Sequence, residues 1–330
     1  MKTPRRAAAV VALSMLAALP AGLAWAQSGF PDRPLKLVVP FPPGGGTDAA
    51  ARLMAAALSV ELRQQVVVEN RGGAGGSIAA QSVVDAPADG YTLFFATTGT
   101  VAINQHLYSK LRHNPLTDLT PIATIASFPN VLVVHPSLPV RSVAELIALA
   151  RERQGTLTYG SSGSGSSSHL AVVLLESMTG VKFTHVPYKG SAPAMTDFVA
   201  GRIDMMIDNP TTNIPLAQSG KLRALGVSGR SRSKQMPELP TIAEAGVPGY
   251  EVTIWNGFFV AKGTPKNVIE TLNKALVTAL SDEKVRARLI EQAVDLPEPK
   301  DATPEALRAQ LKASIDKWVP AIKAAGVQPQ

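Results

Sequence analysis

The chain of 330 residues contains no cysteine. That removes disulfides, thiolate nucleophiles, sulfur-ligated metal centres and any cysteine for lipid attachment. Aromatic residues make up only 5%, and Lys and Arg are scattered rather than clustered. Both features argue against a nucleic-acid surface, so no nucleic-acid partner is expected. The five histidines, His106, His113, His135, His169 and His185, are dispersed, and none stand at the i, i+4 spacing of a zinc helix. Neither a metal nor a cofactor is expected. A nucleophile elbow is missing as well: the small-residue run from Gly160 to Gly165 does not fit G-x-S-x-G. Beyond the first 26 residues no apolar run is long enough to cross a bilayer.

What is present begins with an export signal. Lys2, Arg5 and Arg6 precede an apolar core from Ala7 to Leu19, and Ala24-Trp25-Ala26 supplies a small-x-small cleavage pattern. Residues 1–26 read as a secretory signal peptide cleaved after Ala26. Arg5-Arg6 hints at twin-arginine export, but the alanine run that follows favours the general route. Removing this segment takes three of the 32 basic residues and none of the 25 acidic ones, leaving 29 − 25 = +4. The remaining length is enough for two domains of ordinary size.

The rest is organised around Phe41-Pro42-Pro43-Gly44-Gly45-Gly46-Thr47-Asp48. The apolar run 35–39 before it reads as a buried strand, and Leu53, Met54, Ala57, Leu58 and Leu62 after it carry a helical period. Thr47 or Asp48 is the expected N-cap. The glycines permit positive φ and let a ligand approach the backbone, so Gly45→Val is expected to abolish binding. The first N–H groups of a helix have no partner within it and attract an anion. A second glycine turn, 71–76, follows the strand 66–70, with Ser77 as cap, and Thr97-Thr98-Gly99-Thr100 follows the strand 91–96. Strands alternating with helices indicate parallel sheets, whose ligands sit beyond the strands' carboxyl ends.

A second unit starts near Val131. Ser142 and Glu145 form a capping box, and strand 157–159 enters the small-residue run 160–168 before an apolar helix from His169 to Met178. That run is either a flexible linker or a ligand loop, and its place between strand and helix favours the loop. The strand 202–209 carries Asp208 near its carboxyl end, where it can meet a ligand amine or hydroxyl. Lys189, in the turn before Ser191, can reach an anion or simply be solvated. Residues 229–250, rich in Ser, Pro and Gly, suggest a connection between domains. The strand 252–260 and three helices complete the chain.

Several of these stretches together carry a family resemblance. Residues 30–34 with 37–48, Asn70 to Gly76, Tyr159 to Gly163 with His169-Leu170, His185 to Gly190, and Asp208-Asn209 resemble Bug-type extracytoplasmic solute receptors. That family includes the receptors of tripartite tricarboxylate transporters. The likeness runs from about residue 30 to the end, with Ile207 where the pattern has Phe. It implies an α/β, two-lobed periplasmic-binding-protein (Venus flytrap, type II-like) fold, each lobe a mainly parallel sheet flanked by helices. One lobe would combine 27–127 with 250–330, and the other would span 128–249. It implies a periplasmic monomer that captures a small carboxylate, an organic acid or an amino acid, for the membrane components of such a transporter. A sensor kinase is the other partner such a receptor can serve. Carried over, the binding set is Gly44, Gly45, Gly46, Thr47, Gly75, Thr97, Thr98, Ser161, Ser162, Gly163, Ser166, Ser167, Ser168 and Asp208. Asp48, whose charge would oppose an anion, is assigned to capping. The competing reading from another class is a secreted hydrolase using a serine of 160–168 with His169.

Overall fold

A computed structural model describes residues 29–292 and 294–324. The expected signal peptide and its cleavage after Ala26 lie outside them. In chain order the first part contains β1 (Leu35–Val39), α1 (Gly46–Glu61), β2 (Val66–Asn70), α2 (Ser77–Val84), β3 (Thr92–Thr97), the single-turn α3 (Pro115–Asp118) and β4 (Leu119–Pro129). The middle part contains β5 (Val131–Val134), α4 (Val143–Glu152), β6 (Thr158–Ser161), α5 (Ser167–Thr179), β7 (Thr184–Pro187), α6 (Ser191–Val199), β8 (Met205–Asp208), α7 (Pro210–Gln218) and β9 (Arg223–Val227). The chain then returns through β10 (Thr253–Ala261) to α8 (Lys266–Ser281), α9 (Glu283–Ile290) and α10 (Pro304–Ala324).

These strands make two five-stranded sheets, ordered β2-β1-β3-β10-β4 and β7-β6-β8-β5-β9. Pairings alternate in the same way in both: the first three strands are mutually parallel, and the fourth is antiparallel to its two neighbours. Four of five strands in each sheet therefore share a direction. The exception in each case, β5 or β10, is the strand made just after the chain changes sheets. Helices cover the sheets, which is why β1 and β5 are almost continuously apolar and buried. In α8, Val268, Leu272, Ala275, Leu276 and Ala279 form the buried stripe.

Asn130 alone separates β4 from β5. Its N–H donates to Ser228 Oγ (2.7 Å), that hydroxyl donates to the Val252 carbonyl (2.6 Å), and Val252 N–H donates to the Ser228 carbonyl (2.7 Å). One serine thus ties together the two strands that cross between the lobes. The segment 229–250 is not a free connector. Val227 N–H donates to Pro240 O, Ile242 N–H donates to Val227 O, and Tyr250 O–H donates to Ala171 O, so it lies on the second lobe.

The longest strand, β4, has no counterpart among the expected elements. Pro121 and Pro129 interrupt its pattern, and the sheet tolerates them because β4 is an edge strand.

Candidate functional site

The loops that follow β1, β3, β6 and β8 meet across a cleft of about 450 Å³ of non-atom space, partly open to solvent. The lobes stand closed on one another. Gly45, Gly46 and Thr47 start α1, Ser167 starts α5, Ser191 starts α6, and Asn209 caps α7; all of them line this space. Four helix N-termini therefore converge, with no lysine or arginine among the lining residues. Unpaired N–H groups and dipole ends make such a space attractive to an anion.

In the first loop only Gly44 of the three glycines has positive φ (+94°). Gly45 is extended at φ −87° and is itself the N-cap, so neither Thr47 nor Asp48 caps α1. The expected conformational reason for Gly45→Val is therefore wrong. The demanding position is Gly46, where a Cβ would lie 2.5–2.7 Å from the side chain of Asn209 in the other lobe. Asp48 sits behind the loop and accepts from Gly44 N–H (3.0 Å), Arg52 Nε (2.9 Å) and Asn70 Nδ2 (2.8 Å). Burial disfavours its charge, but these bonds outweigh that and hold the carboxyl below the usual range.

The second glycine turn lies to one side. Gly75, at φ +60°, faces the Ser164 carbonyl, which would be 2.6 Å from an added Cβ, and Tyr108 O–H donates to the same carbonyl. Gly75, Ser162, Gly163 and the exposed Lys189 line a neighbouring pocket rather than the central cleft, which only Ser162 shares. Ser77 is the first residue of α2, with Gly76 as N-cap. Thr97 lines the cleft, whereas Thr98 turns away: its Oγ1 accepts from Trp255 N–H (3.0 Å) and holds β10.

In the serine run, Ser162 and Ser167 line the cleft and the others frame it. Ser166 Oγ accepts from His169 N–H (3.3 Å) as the N-cap of α5. Ser168 Oγ accepts from Ser162 N–H (3.0 Å) and bonds the hydroxyls of Ser162 (2.9 Å) and Ser166 (3.0 Å). Ser161 Oγ accepts from Gly163 N–H (3.2 Å) and lies 2.6 Å from His185 Nε2. Behind the loop Tyr159, His169 and His185 form a cluster of nearly parallel rings, with the His185 centroid 4.7 Å from Tyr159 and 4.3 Å from His169, which are themselves 6.4 Å apart. His169 Nδ1 accepts from Gly165 N–H (3.2 Å). Burial pushes His169 down to about 3, helped by His185, and His185 down to about 4. The hydrolase arrangement is thus rearranged: His185 rather than His169 meets a loop serine. That serine, Ser161, has 0% exposure. No substrate reaches it in this closed arrangement.

Asp208 ends β8 in the cleft wall, 4% exposed. The Ser191 hydroxyl and Asn209 N–H bond to it, yet burial dominates and raises its carboxyl above the usual value. Among the described residues its Oδ2 has no hydrogen-bond partner. Asp204, by contrast, is occupied by Thr158 N–H (2.7 Å) and Oγ1 (2.9 Å).

Sequence reasoning missed the floor of the cleft, Phe128, Asn130 and Ile254, and the flanking Phe41, Ser191 and Asn209. Asn209 before Pro210 and Ser191 after Gly190 were legible as helix starts. The floor comes from β4 and β10, which pair Phe128 with Ile254 across more than a hundred residues, and no local pattern announces that.

The model of the tripartite tricarboxylate transporter family receptor matches residues 50–327. Among solved structures, an R. palustris protein with adipate is 42% identical, with a TM-score of 0.88 over 91% of this chain and 100% of that one. The periplasmic binding protein BugD is 36% identical, with a TM-score of 0.87 and coverage of 91% and 100%. MatC from Rhodopseudomonas palustris, with bound malate, is 34% identical, with a TM-score of 0.86 and coverage of 89% and 100%.

Proposed function

The chain belongs to the tripartite tricarboxylate transporter receptor family, and from that premise we propose that it captures a small organic dicarboxylate between its lobes. The observation that carries this is the convergence of four helix N-termini on one cleft without a cation. Relatives of the same fold hold adipate and malate, acids of the kind such a cleft suits. Direct contact is assigned to Gly45, Gly46, Thr47, Thr97, Ser162 and Ser167. Gly44, Gly75, Thr98, Ser161, Gly163, Ser166 and Ser168 shape the loops that present them. Micromolar affinity requires about 8 kcal/mol. Hydrogen bonds to a charged group contribute roughly 1.5–3 kcal/mol each, so half a dozen amides and hydroxyls suffice after ordering costs.

Of the described residues, those up to Pro129 and from Thr253 onward form one lobe and Val131 to Tyr250 the other, hinged where Asn130, Ser228 and Val252 meet. Ligand favours the closed form by its differential affinity. The loaded receptor acts in the periplasm and delivers its ligand to the membrane components of a tripartite transporter. No catalytic role is assigned to any residue. Thermal-shift and calorimetric screening of malate, adipate, amino acids and aromatic acids tests this. A dicarboxylate should raise Tm and bind at micromolar concentration without being turned over, and small-angle scattering should show a smaller radius of gyration with it. Preference for an uncharged solute, or hydrolysis of the ligand, would sink the reading.

A further inference from the structure

The cleft suits an anion, yet a carboxyl group forms part of its wall. Asp208 is 4% exposed and is one of the residues lining the space that the four helix starts share, and its Oδ2, itself buried, has no hydrogen-bond partner among the described residues. Its polar companions there are neutral: Thr47, Thr97, Asn130, Ser162, Ser191 and Asn209. The charged and titratable groups on surrounding elements are outside the cleft lining. Asp48 on α1 is occupied by Gly44, Arg52 and Asn70. His169 on α5 and His185 on β7 are held behind the serine loop, with Tyr159 of β6 stacked on them. Lys189 before α6 is exposed, and Asp197 on α6 accepts from Tyr188 and Arg202. Arg223 on β9 donates to the carbonyls of Leu138 and Val140. The strand β5 and helix α7 carry no charged residue. Among the described residues, no cation lines the cleft to balance a second negative charge.

We propose that this receptor takes up its carboxylate together with one proton, with the Asp208 carboxyl in its acid form donating a hydrogen bond to the ligand. This rests on the reading of the site as a carboxylate receptor. A ligand carboxylate set directly against ionised Asp208, with no cation between them, is repelled, and one proton shared between the two groups replaces that repulsion with a hydrogen bond. The proton comes from solvent when the lobes close and returns to it when they open. Burial already moves the Asp208 carboxyl in the required direction. The sign follows: the complex holds the proton more tightly than the free protein. Affinity is therefore constant below the free-protein pKa of Asp208. Above that value it falls about tenfold per pH unit until the complex itself titrates. A ligand ammonium would do the reverse, pairing with ionised Asp208 and releasing any proton it held.

The test is calorimetric titration of wild type and Asp208→Asn with malate and with adipate from about pH 6 to about pH 9, where both ligand carboxylates are ionised. Each titration is run in two buffers of different ionisation enthalpy, so that proton uptake is read directly on the wild type. Wild type should bind with declining affinity on the alkaline side and take up close to one proton per ligand there. Asp208→Asn keeps a donor at the same place, and should bind with no proton uptake and a flat profile. A flat wild-type profile without uptake would overturn the proposal, as would a variant as proton-linked as wild type. An amino acid that binds tightly and loses its affinity in Asp208→Asn would overturn it too. If neither acid nor any other organic acid binds at any pH, the receptor reading itself fails, and this one with it.

Discussion

The two walls of the cleft are made of different material. The first lobe offers bare backbone: Gly45 and Gly46 open α1, braced from behind by Asp48. The second lobe offers a mesh of hydroxyls, Ser161, Ser162, Ser166 and Ser168, set on a stack of Tyr159, His185 and His169. Backbone can be brought close only where side chains are missing, so the first wall should be damaged by adding atoms. A hydroxyl mesh is held by mutual bonds, so the second should be damaged by removing them. The first kind of damage falls on closure and affinity, the second on stability.

Four measurements break or sharpen that contrast. The largest effect on affinity is expected from Gly46→Ala, whose methyl would sit 2.5 Å from the Asn209 carboxamide: either that side chain swings aside and gives up its cap on Thr211 N–H (2.9 Å), or the lobes stay apart. If the closed population drops to about one per cent, affinity falls roughly 100-fold, while Tm without ligand stays near wild type. Unchanged affinity by calorimetry would mean that the lobes close without this contact.

Next comes pH. Buried neutral histidines favour unfolding wherever the unfolded chain can protonate them and the fold cannot. With His169 lowered from 6.5 to about 3 and His185 to about 4, stability is full above pH 6.5 and declines as pH falls towards those values. The His169 contribution is on the order of 5 kcal/mol, lost in full only once pH has fallen below about 3. His169→Gln should flatten the curve of Tm against pH in the acid range; a curve parallel to wild type would remove the histidine stack as its cause. Asp208, with its raised pKa, works in the opposite sense, contributing most at low pH and losing that contribution as pH rises.

Ser168→Ala comes third. It strips Ser162 N–H of its acceptor and should cost about 1–3 kcal/mol of stability by denaturant titration, with affinity changing less than about tenfold. A large affinity loss at wild-type stability would make Ser168 a ligand contact instead. The smallest effect is expected for Gly45→Ala. Its Cβ would meet Ser191 Cβ at an ordinary 3.8 Å, so only the weaker N-cap counts, under about 1 kcal/mol. An affinity loss like that of Gly46→Ala would show that the whole loop, not one contact, controls closure.

Much of the architecture was legible because it is local. The runs 35–39 and 131–134 are apolar strands, the glycine turns sit between strand and helix, and Ser142 caps α4 as its spacing implies. What escaped was set by distance. Gly46 matters because Asn209 comes to meet it, a fact absent from Gly-Gly-Gly itself. Thr98 resembles its neighbour Thr97 in sequence, yet β10 claims its hydroxyl. His185 shows no motif with Ser161, because the parallel pairing of β6 with β7 brings them together.

The position of β10 has a consequence for how the molecule is made. It lies between β3 and β4, although the whole second lobe separates it from them in sequence. A chain growing from its N-terminus can therefore finish the sheet of the second lobe while the first is still in two pieces. Until Ala261 has followed, β3 and β4 carry open edges towards one another, the kind of surface that invites pairing with other chains. The middle of the polypeptide can thus close its sheet before its beginning does, since only β10 closes the first. Premature termination between β9 and β10 would leave one finished lobe tethered to an adhesive half-sheet.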